Sequence, residues 1–148
     1  MLVPSNHRAP VATDLPRIRS FLEDNGLPTN GVEKCLENFV VAVDQEGSWV
    51  GIGGFERYGE NCLVRSVAID KRFRSRGHGR TLVETVLRKA KSKGVKTAYL
   101  LTEDASRFFE GLGFQIVDRK DIDEAVKASP EFTEPGCETA VAMRKAIA

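Results

Sequence analysis

Histidine, cysteine and net charge are all in short supply in this chain. Its 148 residues include 2 histidines, His7 and His78, too few for a histidine-rich metal centre and a thin supply for Ser-His-Asp machinery. The 3 cysteines, Cys35, Cys62 and Cys137, are odd in number and form no CxxC or CxxH spacing. That pattern argues against a disulfide framework and against a structural zinc site, and it fits a reducing compartment. Lys and Arg total 22 against 21 for Asp and Glu, so the net charge is +1 and no global field holds the protein on nucleic acid or a membrane surface. The longest apolar runs, such as "FVVAV", fall far short of the ~20 residues a membrane span needs, and "MLVPSNHRAPVATD" lacks the apolar core of a signal peptide. The expectation is a cytoplasmic protein without metal, nucleic-acid or membrane partners, monomeric or homodimeric, folded as one domain over residues 1–148.

What is present is patterned. "ATDLPRIRSFLEDNGLP" predicts a helix with Thr13 as N-cap, Pro16 in its first turn, Leu15, Ile18 and Leu22 on one face, and Gly26 and Pro28 as stops. "GVEKCLEN" predicts a short helix, and "FVVAVDQEGSWVGIGGFER" two strands, Phe39 to Val43 and Trp49 to Phe55, around a turn. The glycines of "GIGG" lie inside a strand pattern, which points to a bulge or close packing. In "NCLVRSVAID", Leu63, Arg65, Val67 and Ile69 alternate against Val64, Ser66 and Ala68, as in a strand with two distinct faces. Leu82, Val83, Val86, Leu87 and Ala90 then recur at helical spacing, and Lys89, Lys91 and Lys93 complement the helix C-terminus before Gly94. "VKTAYLL" reads as a strand, "EDASRFFEGLG" as a short helix burying Ala105, Phe108, Phe109 and Leu112, and "FQIV" as a strand. "DIDEAVKAS" suggests one more small helix, and "ETAVAMRKAI" a closing strand. Together these predict a mixed sheet with helices on its faces, an α+β fold.

Between strand and helix lies "RFRSRGHGR". It reads as a nucleic-acid patch, a phosphate cradle or a charged turn, and the near-zero net charge favours a small anionic ligand. The backbone N–H groups from Gly77 to Thr81 open a helix and point at its positive end. Gly77 and Gly79 let the main chain approach an anion closely, and Arg74, Arg76 and Arg80 supply charge-assisted hydrogen bonds. No Walker A loop is present, and "GHGRTL" has Leu82 where a dinucleotide fingerprint needs its third glycine.

These residues resemble the acyl-CoA-binding segment of the GNAT acetyltransferases. The R/Q-x-x-G-x-G/A motif of that family is matched by Arg74, Gly77 and Gly79 after a strand ending V-A-I-D. A second segment, A-x-x-F-Y-x-x-x-G-F, is matched by Ala105, Phe108, Gly113 and Phe114, and the resemblance spans essentially the whole chain. It implies a mixed, mostly antiparallel sheet flanked by helices on both faces, with a splayed central strand pair. Acetyl-CoA is the implied co-substrate, with Val67, Ala68 and Ile69 pairing to the pantetheine arm and Arg74, Ser75, Arg76, Gly77, His78, Gly79 and Arg80 wrapping the pyrophosphate. Thr102 stands where many relatives carry a cofactor-touching Asn. "RSVAID", "YLLTEDASRFFEGLGF" and "DEAVKASPEFTEPGCETAVAMRK" are similar to a branch associated with arsenic-resistance operons and related to amino-acid N-acetyltransferases.

The resemblance also implies a Glu base on the "VRSVAI" strand and a Tyr acid on the later helix, but this chain has Arg65 near the first position and Phe109 at the second. With a thiol pKa near 8.5, releasing unprotonated thiolate at pH 7 forfeits only about 2 kcal/mol. Phe109 can therefore pack beside the sulfur without protonating it. Glu56, at the end of "WVGIGGFE", is the expected base, with Glu103 and Asp104 behind it, against the alternative of a solvated strand-end carboxylate. Arg65 is either a grip for a substrate carboxylate or a strand-face residue paired with a nearby acid. Tyr58 is an acid, a base or a packed aromatic, and the cysteines read as small buried apolar residues. The expected activity is acetyl transfer to the amine of a small substrate such as an amino acid. The alternative is an acyl-CoA-binding or sensing module without catalysis.

Overall fold

The computed structural model describes residues 5–148, so the first four residues of the expected 1–148 domain lie outside the described residues. Seven strands form one sheet in the order β1-β2-β3-β4-β5-β7-β6: β1 Ser5–Arg8, β2 Val40–Asp44, β3 Trp49–Tyr58, β4 Asn61–Ile69, β5 Thr97–Thr102, β6 Gln115–Ile116 and β7 Val141–Ala146. Neighbours are antiparallel throughout except β4 and β5, which run parallel. That parallel pair is joined by α2 (His78–Ser92), the crossover that parallel strands require. α1 spans Leu15–Asp24 and α3 Ser106–Glu110.

Each face of the sheet has its own cover. Leu82, Val83 and Val86 of α2 are buried against Val50, Phe55, Val64 and Ala98, and Phe109, Leu112 and Phe114 join the same cluster. On the opposite face, Ile18 and Leu22 of α1 pack on Phe39, Val41, Trp49 and Ile52. A third cluster joins Leu63, Tyr99 and Ala142 to Ile122 and Val126 from the segment 117–140. Full burial of one such aliphatic side chain stabilises by about 1.5–3 kcal/mol.

Two irregularities of the sheet position the site. Between the pairs Ile52↔Ala68 and Gly54↔Arg65, β4 uses one more residue than β3, and Ser66 takes up the bulge at φ 62°. The extra residue corrects the simple alternation expected from sequence. Val64, Val67 and Ile69 share the α2 face, while Arg65 lies with α1 and the loop after it. Second, β4 and β5 pair only over Asn61↔Thr97, Cys62↔Ala98 and Leu63↔Tyr99, after which they part. This is the splayed central pair.

Four local expectations are corrected. Residues 12–14 form a 3-10 turn, so the N-cap of α1 is Asp14 and not Thr13; the Asp14 carboxylate accepts from Arg8 and from the Val11 N–H. "GVEKCLEN" forms two 3-10 turns, Val32–Lys34 and Leu36–Asn38, and "DIDEAVKAS" falls into turns at Arg119–Asp121 and Val126–Ala128. Phe108 is 40% exposed instead of buried. β1, too short and polar to announce itself, pairs to the edge of β2. "GIGG" is a close-packing stretch: a Cβ on Gly54 would stand 2.5 Å from the Phe39 ring, and one on Gly51 would stand 2.6 Å from Ile69 Cδ1. Lys89 donates to the Phe39 carbonyl and Lys93 to Asn38, which accounts for two residues of the lysine run as structural ties.

Candidate active site

The gap between β4 and β5 opens into a cleft of about 1140 Å³. Its lining carries both basic and acidic side chains.

At one end is the basic loop. Asp70 accepts from the Arg72 N–H and fixes a 3-10 turn, Lys71–Phe73, after which Ser75 (φ 64°) and Gly77 (φ 86°) take left-handed conformations. Gly77 is the N-cap of α2 and its carbonyl accepts from the Thr81 N–H, so the N–H groups of His78, Gly79 and Arg80 come before the first intrahelical donor, and Gly77, Gly79 and Arg80 line the cleft. Helix dipole and free donors together make an anion site. A Cβ on Gly79 would come 3.2 Å from the Phe108 ring, so only glycine leaves the wall open there. Arg74 donates through Nε to the Ile69 carbonyl (2.9 Å) and through its terminal nitrogen to Asn25 Oδ1 (2.7 Å), tying the end of β4 to the end of α1.

Most of the expected cofactor residues come together here. Val67, Ala68, Ile69, Arg74, Ser75, Gly77, Gly79, Arg80, Thr102 and Phe109 line the cleft. Arg76 is exposed and does not line it. The His78 side chain is also turned away: it is buried edge-on against Phe73, its Nε2 has no partner, and burial followed by the nearby Arg76 holds its pKa below the usual value. Thr102 Oγ1 accepts from the Ala105 N–H, and Phe109 is buried between the edges of Phe108 and Phe114.

The lining also includes Glu103, Asp104, Glu131 and Glu134, together with Pro135, Cys137 and Ala140. Thus the segment around "SPEFTEPGC" forms one side of the cleft. It is pinned down: Ser129 is 1% exposed and its Oγ accepts from the Glu131 N–H, Pro130 lies 3.1 Å from where a Gly31 Cβ would be, and Arg119 donates to the carbonyls of Cys137 and Ala140.

The two expected catalytic residues sit together but are committed to each other. The Arg65 side chain is fully buried; Nη1 donates to Glu56 Oε2 (2.7 Å) and to the Asn30 carbonyl (2.7 Å), and Nε donates to Ser66 Oγ (2.9 Å). Nη2 reaches only the Pro28 carbonyl, at 3.4 Å. Arg65 is thus paired with an acid on the neighbouring strand, and it also lines the cleft. The other Glu56 oxygen accepts from the Tyr58 hydroxyl, and the phenol pKa is raised by burial and by that carboxylate. Glu56 faces a second, smaller hollow of about 290 Å³ and does not line the large cleft. Each Glu56 oxygen therefore already accepts a hydrogen bond, and the carboxylate stands apart from the cleft that holds the basic loop.

Sequence reading missed Glu131. Burial raises its carboxyl pKa, as do Glu56 and Glu134, while Arg65, with Nε 3.9 Å from Oε1, pulls the other way. The local signal was Ser-Pro-Glu, a capped turn, but its place in the cleft depends on distant packing. Cys35 and Cys62 are buried and their thiols are pushed up to about 12, consistent with small apolar residues. Among the described residues there is no group of three or more metal-ligating side chains, and no helix is long and apolar enough to cross a membrane.

Comparison with known proteins agrees with this geometry. A family model described as an acetyltransferase (GNAT) domain matches residues 36–116. An amino-acid acetyltransferase of Pasteurella multocida (strain Pm70) is 23% identical over 123 residues, covering 78% of this chain and 28% of its own. The structure of N-acetylglutamate synthase from Neisseria gonorrhoeae, complexed with coenzyme A and N-acetyl-glutamate, superposes with a TM-score of 0.83 at 15% identity, covering 100% of this chain and 36% of that one. Rv2747 from Mycobacterium tuberculosis, in complex with CoA and NLQ, gives a TM-score of 0.80 at 19% identity, covering 95% and 98% of the two chains. This chain spans well under half the length of the first two proteins, 28% and 36%. At these identities the superpositions establish a common fold.

Proposed function

Because the chain belongs to the GNAT acetyltransferase family, we propose that it moves an acetyl group from acetyl-CoA to the amine of a small acceptor. The observation that carries this reading is the splay of β4 from β5 immediately beside the N-terminus of α2, within one cleft. The donor fits the residues present. Gly77, Gly79 and the α2 N–H groups offer an anion cradle for the pyrophosphate, flanked by Arg74 and Arg80. Val67, Ala68 and Ile69 offer strand backbone for the pantetheine amides, and Thr102, Phe108 and Phe109 line the path to the thioester. A backbone N–H at the β4 bulge is the expected oxyanion donor. Phe109 provides no acid, and loss of a thiolate requires none.

For the acceptor, kinship with amino-acid acetyltransferases supports an amino acid or analogue, whose α-amino group is already about a tenth neutral at pH 7. The similarity to the arsenic-resistance-operon branch belongs to the same reading, which assigns no arsenic chemistry to this chain. A second acceptor class is favoured by one observation: four carboxylates, Glu103, Asp104, Glu131 and Glu134, line the cleft, while Arg65 is paired with Glu56. An acceptor with a second positive charge, such as a diamine, suits that lining. The proposal extends to a cytoplasmic location, to one acetyltransferase domain over residues 1–148, to a monomer or homodimer, and to a small molecule rather than nucleic acid or membrane as partner.

The test is release of free thiol from acetyl-CoA with panels of amino acids and of diamines, alongside calorimetry of acetyl-CoA binding. Turnover with one panel identifies the acceptor class. Tight acetyl-CoA binding with no thiol release from either panel would instead support the binding-module reading.

A further inference from the structure

We propose that Glu131, which stands beside the buried Arg65–Glu56 pair, is the group that takes the ammonium proton of the acceptor. The inference rests on the acetyl-transfer reading above. A general base must stand in the cleft, near the β4 bulge, with a lone pair free. Glu56 fails the first of these, lying outside the cleft lining, and each of its oxygens already accepts a hydrogen bond. Glu103 and Asp104 line the cleft but are exposed residues of the loop after β5.

Glu131 meets all three. It lines the cleft; its side chain is 17% exposed; and its Oε1 lies 3.9 Å from Arg65 Nε, close enough to feel the charge but too far to spend a lone pair on a hydrogen bond. Arg65 immediately precedes Ser66, the residue of the bulge. The backbone of Glu131 is fixed by the Ser129 hydroxyl, by Pro130 on Gly31 and by Phe132 in the third core cluster, so the carboxylate is held by a rigid turn. The groups facing it are Arg65 from β4, Glu56 from β3, with Tyr58 behind it, and Glu134 from its own segment. Burial, with Glu56 and Glu134, outweighs Arg65 and raises the basicity of the carboxyl, the direction a general base needs.

The step balances. The acceptor enters as an ammonium ion and gives one proton to a Glu131 oxygen, which frees the nitrogen lone pair. That pair forms the C–N bond to the acetyl carbonyl carbon. When the C–S bond breaks, the bonding pair leaves with sulfur as the coenzyme A thiolate. The second nitrogen proton passes to that thiolate, and Glu131 returns its proton to solvent. Acetyl-CoA and ammonium ion become amide, free thiol and one proton.

The test compares Glu131→Gln with wild type on two acceptors: the best ordinary amine of the panel, and an analogue whose amine pKa lies well below the assay pH. With the ordinary amine, kcat should fall about 10²–10⁴-fold, the usual worth of a general base. The acid limb of the pH–rate profile should vanish, and the affinity for acetyl-CoA should stay unchanged. With the low-pKa analogue, which arrives already neutral, the variant should run within about threefold of wild type. A structural defect would depress both acceptors alike, and that outcome overturns the assignment, as does a Glu131→Gln enzyme that keeps its rate on the ordinary amine. Glu131→Asp, which keeps the base but withdraws it, should retain the acid limb at reduced kcat. If wild type binds acetyl-CoA yet acetylates no amine, the parent reading falls and Glu131 with it, a result distinct from a failure of Glu131 alone.

Discussion

Arg65 shows how a single residue can be legible in kind and illegible in role. Its sequence context, apolar or small on both sides, marks a guanidinium forced into a strand and leaves its partner open. The partner was within reach of the register. β3 and β4 are joined through Gly59 and Glu60, so that Tyr58 faces Asn61, Glu56 faces Leu63 and Gly54 faces Arg65. Glu56 and Arg65 are therefore diagonal neighbours on one face of a hairpin. A two-residue turn read from "YGEN" would have paired them. The energetics follow from burial. Removing Arg65 leaves the Glu56 carboxylate buried without its cation, which costs about 3–5 kcal/mol. Arg65→Met should lose about that much in urea unfolding, and Arg65→Met combined with Glu56→Leu should recover a large part of it. A single variant as stable as wild type would show that the pair is already hydrated. Gly54 offers a steric counterpart: Gly54→Ala drives a methyl group into the fully buried Phe39 ring, and its unfolding free energy should fall by about 1–3 kcal/mol.

At the scale of elements, the loop between β4 and α2 was readable because everything it needs is local. Its glycines, its arginines and the helix it opens lie within a few residues of one another, and the conformations that admit an anion, left-handed at Ser75 and Gly77, are fixed by backbone sterics. Gly77→Ala should cost about 1–2 kcal/mol through strain at that one position and weaken acetyl-CoA binding in calorimetry. Arg74→Ala should raise the Kd for acetyl-CoA by at least about tenfold, as loss of a charge-assisted hydrogen bond worth about 1.5–3 kcal/mol implies. The deficit should shrink as salt is added. The segment 117–140 was illegible for the opposite reason. It has no long periodic run, only short 3-10 turns, and its shape is set by contacts with Gly31, Leu63 and Tyr99 far away in sequence. One wall of the cleft belongs to that segment, so the side with the basic loop could be read from the chain and the side with Glu131 could not.

For the molecule as a whole, burial of titratable groups confines stability to a pH window. The folded pKa of Cys35 and Cys62 is raised to about 12, so their contribution is intact below the unfolded thiol value near 8.5 and is lost as pH climbs from there. Each thiol can remove up to about 1.4 kcal/mol per pH unit in that range. Cys62→Ala should make the alkaline decline in denaturant midpoint visibly shallower. On the acid side the sign reverses. His7 and His78 have folded pKa values below the unfolded one, so the unfolded chain binds protons first and stability falls as pH drops below about 6.5. His78→Phe, which also removes the partnerless Nε2, should flatten part of that fall, leaving the share due to His7. One consequence of the fold reaches beyond catalysis. A sheet of seven strands has two outer edges, but where β4 leaves β5 this one acquires a pair of inner edges, lined by backbone from Val64 to Ile69 and from Leu100 to Thr102. An extended ligand lying between them acts as an eighth strand as much as a reactant. Acetyl-CoA should accordingly slow amide hydrogen exchange along Val67, Ala68 and Ile69 far more than in β2 or α1, as if the sheet had been zipped closed from the middle.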